Sequence, residues 1–329
     1  MHNRRTKQKL TLALDESGAT AIFFALTLSF LCGFVALAFD IGHIFTVRAE
    51  LQRTADAGAL AGVAGLVPYT HTGTYQTPNW EGGKTKATTI INIDANKADK
   101  QGFTITEDTF DYGYWLLMPP TGYVQPPLPD ARPTTSAYLP VPAIKVTLSR
   151  NVTLYFAPIV GVSTPTTVSA TATAILPEAY SIAPGKTFAM AVEQSIVYNP
   201  DHTINLSPQD FGWGDHGQWF NLDGSNDVPT IRRNDQMNAL QDIYIAPGAK
   251  ATLYDTSIIG QTIIVPVVSG VETGTWQTIL GFAAFQVTGV GSKSIDGHFL
   301  TQYISPDAVP GAGEGTYLGV SGTPKLVGP

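Results

Sequence analysis

Two Gly-Lys-Thr triplets, Gly83-Lys84-Thr85 and Gly185-Lys186-Thr187, come nearest to a phosphate-binding device. A phosphate-cradling loop needs an earlier glycine five positions before the second one. Those positions hold Pro78 and Tyr180, so neither triplet can form it. Gly212-Trp213-Gly214-Asp215-His216-Gly217 fits the dinucleotide pattern G-x-G-x-x-G. However, no parallel-strand run precedes it and no helical pattern follows it. There is no G-x-S-x-G nucleophile elbow. The histidines, at 2, 43, 71, 202, 216 and 298, form no H-x-x-x-H pair and accompany no cysteine, so no zinc site is read. Neither catalysis nor a cofactor is expected.

The segment from Asp210 to Asp227 gathers Asp210, Asp215, His216, Asp223 and Asp227 around Trp213, Trp219 and Phe220. Oxygen ligands in a loop can hold Ca²⁺. The spacing D-x-[DN]-x-[DN]-G is missing, and Asp in such stretches also builds turns on its own backbone. Trp213 and Trp219 offer either a surface for a sugar or protein ligand or part of a core. Asp255-Thr256-Ser257 does not complete the D-x-S-x-S metal-adhesion pattern.

The elements that would position these residues follow from composition and pattern. Only 14% of the 329 residues are charged, against roughly 25% in soluble domains. With 32 Gly and 23 Pro, a helical bundle is disfavoured. The net charge of −7 argues against nucleic acid as a partner. The single Cys32 excludes a disulfide framework.

Residues Ala19 to Phe39 carry no charge. As a helix they span about 32 Å, enough for a bilayer core. Arg4, Arg5, Lys7 and Lys9 lie before them and Asp40 closes them, which predicts a cytoplasmic leader at 1–18, a span at 19–39 and an exported remainder. Residues 1–18 hold four basic and two acidic groups; the other 15 basic and 24 acidic residues lie beyond the span. The competing reading is a signal peptide cut after Ala36-Leu37-Ala38. The helical pattern continues without proline to Leu66, so 40–66 is expected to be a stalk, giving one helix over 18–66 about 73 Å long. Its small residues, Ala57, Ala61 and Gly65 with Gly58 and Gly62, admit close approach, either by a partner helix or by the chain's own sheet. Asp40 at the membrane exit is expected to be solvated or to pair with headgroups or a neighbouring chain.

Beyond the stalk, 69–85 reads as turns and 86–100 as a short helix. Strands are expected at 110–115, 143–156 and 166–176, with an extended loop across the eight prolines of 119–142. Region 67–180 is thus an α+β unit with a sheet beside the stalk. Region 181–329 shows short strands at 188–198, 243–246, 251–254, 258–268, 278–288 and 295–304 between turn signals. This predicts a sandwich-like or barrel domain. Residues 231–241 are the best helix candidate there, and 306–329 reads as a loop.

Three stretches resemble the TadE/TadG-like proteins of Flp (Tad) pilus assembly. They are Glu16 to Leu26, Gly33 to Gly42, and Arg48-Ala49-Glu50-Leu51-Gln52-Arg53-Thr54-Ala55-Asp56-Ala57-Gly58-Ala59-Leu60-Ala61-Gly62. Phe110 to Trp115 and Ala143 to Leu176 also resemble the strands that follow in that family, and Gly281 to Phe285 does so more loosely. Processed pseudopilins carry Glu five positions after the cleavage glycine; counted from Gly18, that position is Phe23. The chain therefore resembles the uncleaved TadG branch, without the von Willebrand A domain that some members carry. The resemblance implies a single-pass protein of the bacterial inner membrane. Its partners would be the lipid bilayer and other pilus-assembly or pilin-like proteins, with no small-molecule substrate. Asp40, Gly42, Arg48, Leu51, Gln52, Asp56, Ala57 and Ala61 are the expected partner-contact residues. A membrane-tethered binding module or adhesin, using Trp213 and Trp219, is the alternative.

Overall fold

The run from Glu16 to Ala64 contains no proline and is rich in Ala, Leu and Phe, which propagate a helix well. In the computed structural model it is one helix of 49 residues, α1 (Glu16–Ala64). Residues 16–67, 70–72, 75–93, 107–116, 122–124, 141–200, 203–248, 253–309 and 318–328 are described. The basic leader with Arg4 to Lys9, most of the proline-rich stretch, and residues 94–100 of the expected second helix lie outside them. The chain divides into two compact units. One is the N-terminal part up to Glu50 with Arg150–Val168; the other is Leu51–Ser149 with Ser169–Pro329.

In the first unit, α1 is exposed on all sides over its apolar stretch. Ile22, Phe23, Phe30 and Phe34 all face outward. This is the one helix among the described residues that is long and apolar enough to cross a membrane. The segment after Val152 turns through a 3-10 helix, Ala157–Val160, back towards Thr166.

In the second unit, the last turns of α1 bury one face. Leu51, Ala55, Ala59, Val63 and Leu66 are fully buried, spaced as a helical stripe requires. Against them packs α2 (Trp80–Ile91), which begins earlier than the sequence suggests because Asn79 caps it by accepting the Gly82 N–H at 2.9 Å. Before it, a small hairpin (Thr70–Thr72 with Tyr75–Thr77) replaces part of the expected turns. The small residues of α1 are used here. A Cβ on Gly62 would lie 3.1 Å from Ile144 Cδ1, and one on Gly65 would lie 2.7 Å from the Gly82 carbonyl oxygen and 2.9 Å from Gly83 Cα. Backbone cannot swing away as a side-chain end can, so Gly65→Ala should destabilise the protein by about 1–3 kcal/mol. By contrast, Gly42 has nothing within 4 Å of its would-be Cβ. Gly42→Ala should be neutral or gain up to about 1 kcal/mol from helix propensity. Urea unfolding of the detergent-solubilised protein, followed by tryptophan fluorescence, separates the two.

The sheet beside these helices runs in the order Lys325–Val327, Thr166–Ile175, Val141–Val152, Glu107–Leu116, Gly122–Val124. Ile144, Val146 and Leu148 alternate inward, while Lys145 faces out and pairs with Asp111 at 3.9 Å. Two expectations change. Gly122–Val124, within the proline-rich stretch, is a strand on Tyr114–Leu116. The tail is also not all loop: Lys325–Val327 pairs antiparallel with Thr173–Ile175, and Ala308–Val309 and Val320–Ser321 are strands as well.

The C-terminal strands close a ring. Thr262–Val268 pairs with Gly281–Val290, then Ser294–Phe299, Gln209–Trp213, His216–Asn221 and Met190–Glu193, which returns to Val267 and Val268. This barrel-like sheet is filled by alternate residues, among them Val265, Val267, Phe285, Phe211, Trp219 and Phe299. The opposite residues, such as Ile264, Phe282, Ala284 and Phe220, join a second cluster on its outside. Residues 231–241 are not a helix. Arg232–Arg233 and Met237–Asn238 are short strands, because Met237 is drawn into the core opposite Ile182. Of the strand expected at 251–254, residues 251 and 252 lie outside the described residues and Leu253 and Tyr254 are not in a strand; Thr256–Ile258 is a 3-10 helix. Among the described residues the fold is α+β: one long apolar helix, few other helices, and a mainly β C-terminal region.

Candidate functional site

Asp40 is the first charged residue after the apolar run, and it is not solvated. Only 1% of it is exposed. Its carboxylate accepts the backbone N–H groups of Tyr155 at 2.9 Å, Phe156 at 2.8 Å and Ala157 at 2.6 Å. Ala157 opens the 3-10 helix, so Asp40 satisfies N–H groups that the turn cannot bond internally. Burial pushes its carboxyl up, but the three N–H donors and nearby His43 push it further down, and the net direction is below the ordinary value. Phe39 packs edge-on against the rings of Tyr155 and Phe156, at 6.2 and 6.1 Å between centroids. The expected solvation of Asp40, or its pairing with headgroups, is thus replaced by a latch within the chain across more than a hundred residues.

The other residues read from the sequence are placed as follows. Gly42 and Arg48 are exposed on α1. Leu51 is fully buried. Gln52 donates from Nε2 to the Asp56 carboxylate at 2.8 Å and to the Thr171 carbonyl at 3.0 Å, tying the helix to the sheet. Ala57 and Ala61 are half-buried. Thus Leu51 and Gln52, with its partner Asp56, serve internal packing, and the open part of α1 is the face with Gly42, Phe45 and Arg48.

Trp213 and Trp219 do not share a surface. Trp213 is 41% exposed, with Lys293 Nζ 4.7 Å from its ring centre. Trp219 is wholly buried between Phe188 and Tyr254. Of the acidic cluster, Asp223 builds a turn by accepting the Ser225 N–H at 2.9 Å, which lowers its pKa. His216 lies between Glu193, at 3.0 Å, and Asp215, at 3.3 Å. Asp255 caps the turn at Ser257, accepting its N–H at 2.8 Å.

Sequence reasoning missed the segment held by Asp40. Its signal was present: no charged residue occurs between Arg150 and Glu178.

Among the described residues, the fold and this site define an α+β protein whose single long apolar helix suits a membrane anchor and is latched by an acidic residue to the 3-10 turn that begins at Ala157. Residues 18–65 match the family model Tad, "Putative Flp pilus-assembly TadE/G-like", and residues 72–174 match Tad_C, "Putative Tad-like Flp pilus-assembly". The resemblance to the TadE/G-like proteins is thereby shown for the helix and extends through the first sheet. The matched families are pilus-assembly components, and they support a part in pilus assembly for this chain. The barrel lies beyond both matched segments. No curated protein and no solved structure matches the chain.

Proposed function

We propose that this chain is a non-catalytic, membrane-anchored accessory or minor structural component of a Tad/Flp-type pilus assembly apparatus, of the TadG branch. Helix α1 carries the reading. Its first half is apolar and uncovered, its last turns are packed into a folded unit, and all but its first two residues lie within the TadE/G-like match. The reading takes residues 19–39 as an uncleaved span of the inner membrane, with the basic leader cytoplasmic. Phe23 in place of the pseudopilin Glu favours the uncleaved branch. The remainder is read as an α+β region over 67–180 and a β domain over 181–329. Contacts with other assembly proteins would use the open face of α1 around Gly42, Phe45 and Arg48.

Deletion of the gene should abolish or sharply reduce surface pili, and normal piliation and adherence would overturn the reading. A photo-crosslinker at Arg48 should join the chain to another pilus-assembly protein, identified by mass.

A further inference from the structure

In the segment Tyr155–Val162, Tyr-Phe-Ala-Pro-Ile-Val-Gly-Val, Tyr155, Phe156, Ile159 and Val162 carry their side chains outward. Ile159 is 81% exposed and Tyr155 64%, and Phe156 and Val162 are also open. A contiguous patch of this kind marks an interaction surface, unlike scattered single residues. Its level along α1 is fixed. Phe156 and Ile159 face Phe30, Gly33, Phe34 and Leu37 across a groove of about 450 Å³ that is almost wholly apolar. Gly33 lies seven residues before Asp40, about 10 Å along the helix. Side chains level with Phe34 and Leu37 share whatever solvent those residues have, and for an apolar span that solvent is hydrocarbon.

The backbone is also prepared for lipid, where unbonded N–H groups are expensive. The N–H groups of Tyr155, Phe156 and Ala157 go to Asp40. Leu154 donates to Thr164 Oγ1 at 3.1 Å, Ile159 to the Phe156 carbonyl, Gly161 to that of Pro158, and Val162 to that of Ala157. Pro158 has no N–H to satisfy. Tyr155 lies 6.1 Å from His43 and beside Phe39, an aromatic grouping of the kind that sits at headgroup level.

We infer that Tyr155–Val162 is a second membrane element, an apolar loop clamped by Asp40 that enters the leaflet from which α1 emerges, with acyl chains filling the groove. The inference rests on residues 19–39 being a membrane span. A lipid occupant is favoured over a protein one because the groove is continuous with the uncovered, apolar surface of the span.

The test uses the full chain with Cys32→Ala, in vesicles of phosphatidylcholine and phosphatidylglycerol whose acyl chains carry a spin-label quencher. A fluorophore is attached at Ile159→Cys, at Phe34→Cys, or at the exposed, charged position Glu272→Cys. Ile159 should lose its emission as fully as Phe34, while Glu272 keeps it. Val162→Cys repeats the measurement should a label at 159 disturb the loop. Loss at Phe34 with emission retained at both 159 and 162 overturns the inference while leaving the anchor intact, and assigns the groove to a protein neighbour. Emission retained at Phe34 as well defeats the anchor reading and the inference with it.

Discussion

In Asp40→Ala, amide exchange at Tyr155, Phe156 and Ala157 should rise at least about tenfold, while the barrel strands exchange as before. Those three N–H groups have the Asp40 carboxylate as acceptor, and alanine offers none. Asp40→Asn keeps one acceptor oxygen and should fall between wild type and alanine. The same latch has a pH signature. The folded carboxyl titrates below its ordinary value because the N–H donors and His43 outweigh burial. A carboxylate with a depressed folded pKa contributes its stability above the unfolded pKa, about 3.9 for Asp. That contribution is lost as pH falls through the lower, folded value. Exchange at 155–157, corrected for its intrinsic pH dependence, should therefore be flat from neutrality to about pH 4 and accelerate only below it. In Asp40→Asn the acceleration should vanish. Exchange unchanged in Asp40→Ala would mean that packing of Phe39 on Tyr155 and Phe156, rather than the carboxylate, holds the loop.

What the sequence revealed and what it hid divide along the range of the interactions. Helix α1 was legible almost to the residue, expected over 18–66 and found at Glu16–Ala64, because its determinants are local: no proline, good helix formers and an apolar run. Glu107–Leu116, Val141–Val152 and Thr166–Ile175 were legible from alternation, although the first begins three residues earlier than expected and the second ends four residues sooner. The Asp40 latch was not, since its acceptor and donors are separated by 115 to 117 positions. Nothing in the spacing of a lone Asp announces such a partner. Lys325–Val327 was hidden for a similar reason: a short segment in a Gly- and Pro-rich tail becomes a strand because Thr173–Ile175 offers it an edge. Residues 231–241 failed in the opposite direction. Local helix preference lost to tertiary pairing of Arg232–Arg233 and Met237–Asn238 with strands already in place.

The small-residue stripe shows why the candidate contacts had to be re-sorted. Close approach was correctly read from Gly58, Gly62 and Gly65, but the approaching groups are α2 and Ile144 of the same chain. A surface already consumed by internal packing is not available to a pilus protein, and this moves the expected contact toward Gly42, Phe45 and Arg48, where the helix is open.

Trp219→Ala should destabilise the protein by about 3–5 kcal/mol, whereas Trp213→Ala should cost no more than about 1 kcal/mol. Trp219 is fully buried in the barrel interior, 5.7 Å from Phe188 and 5.5 Å from Tyr254 between ring centres. Its removal leaves a cavity that the hydrogen-bonded ring of strands can collapse only in part. Trp213 touches solvent and carries Lys293 over its face, and exposed contacts of that kind contribute about 0.5–1 kcal/mol at most. Urea unfolding followed by circular dichroism keeps the measurement independent of the deleted indole. The pair also separates the two functional readings. An adhesin that used both indoles on one surface would lose ligand in each variant with folding intact. Burial of Trp219 means that its variant loses ligand only by losing the barrel, so a binding module in this region would have to be built around Trp213 and Lys293 alone. Equal stability of the two variants would instead place Trp219 at the surface and restore the shared aromatic site.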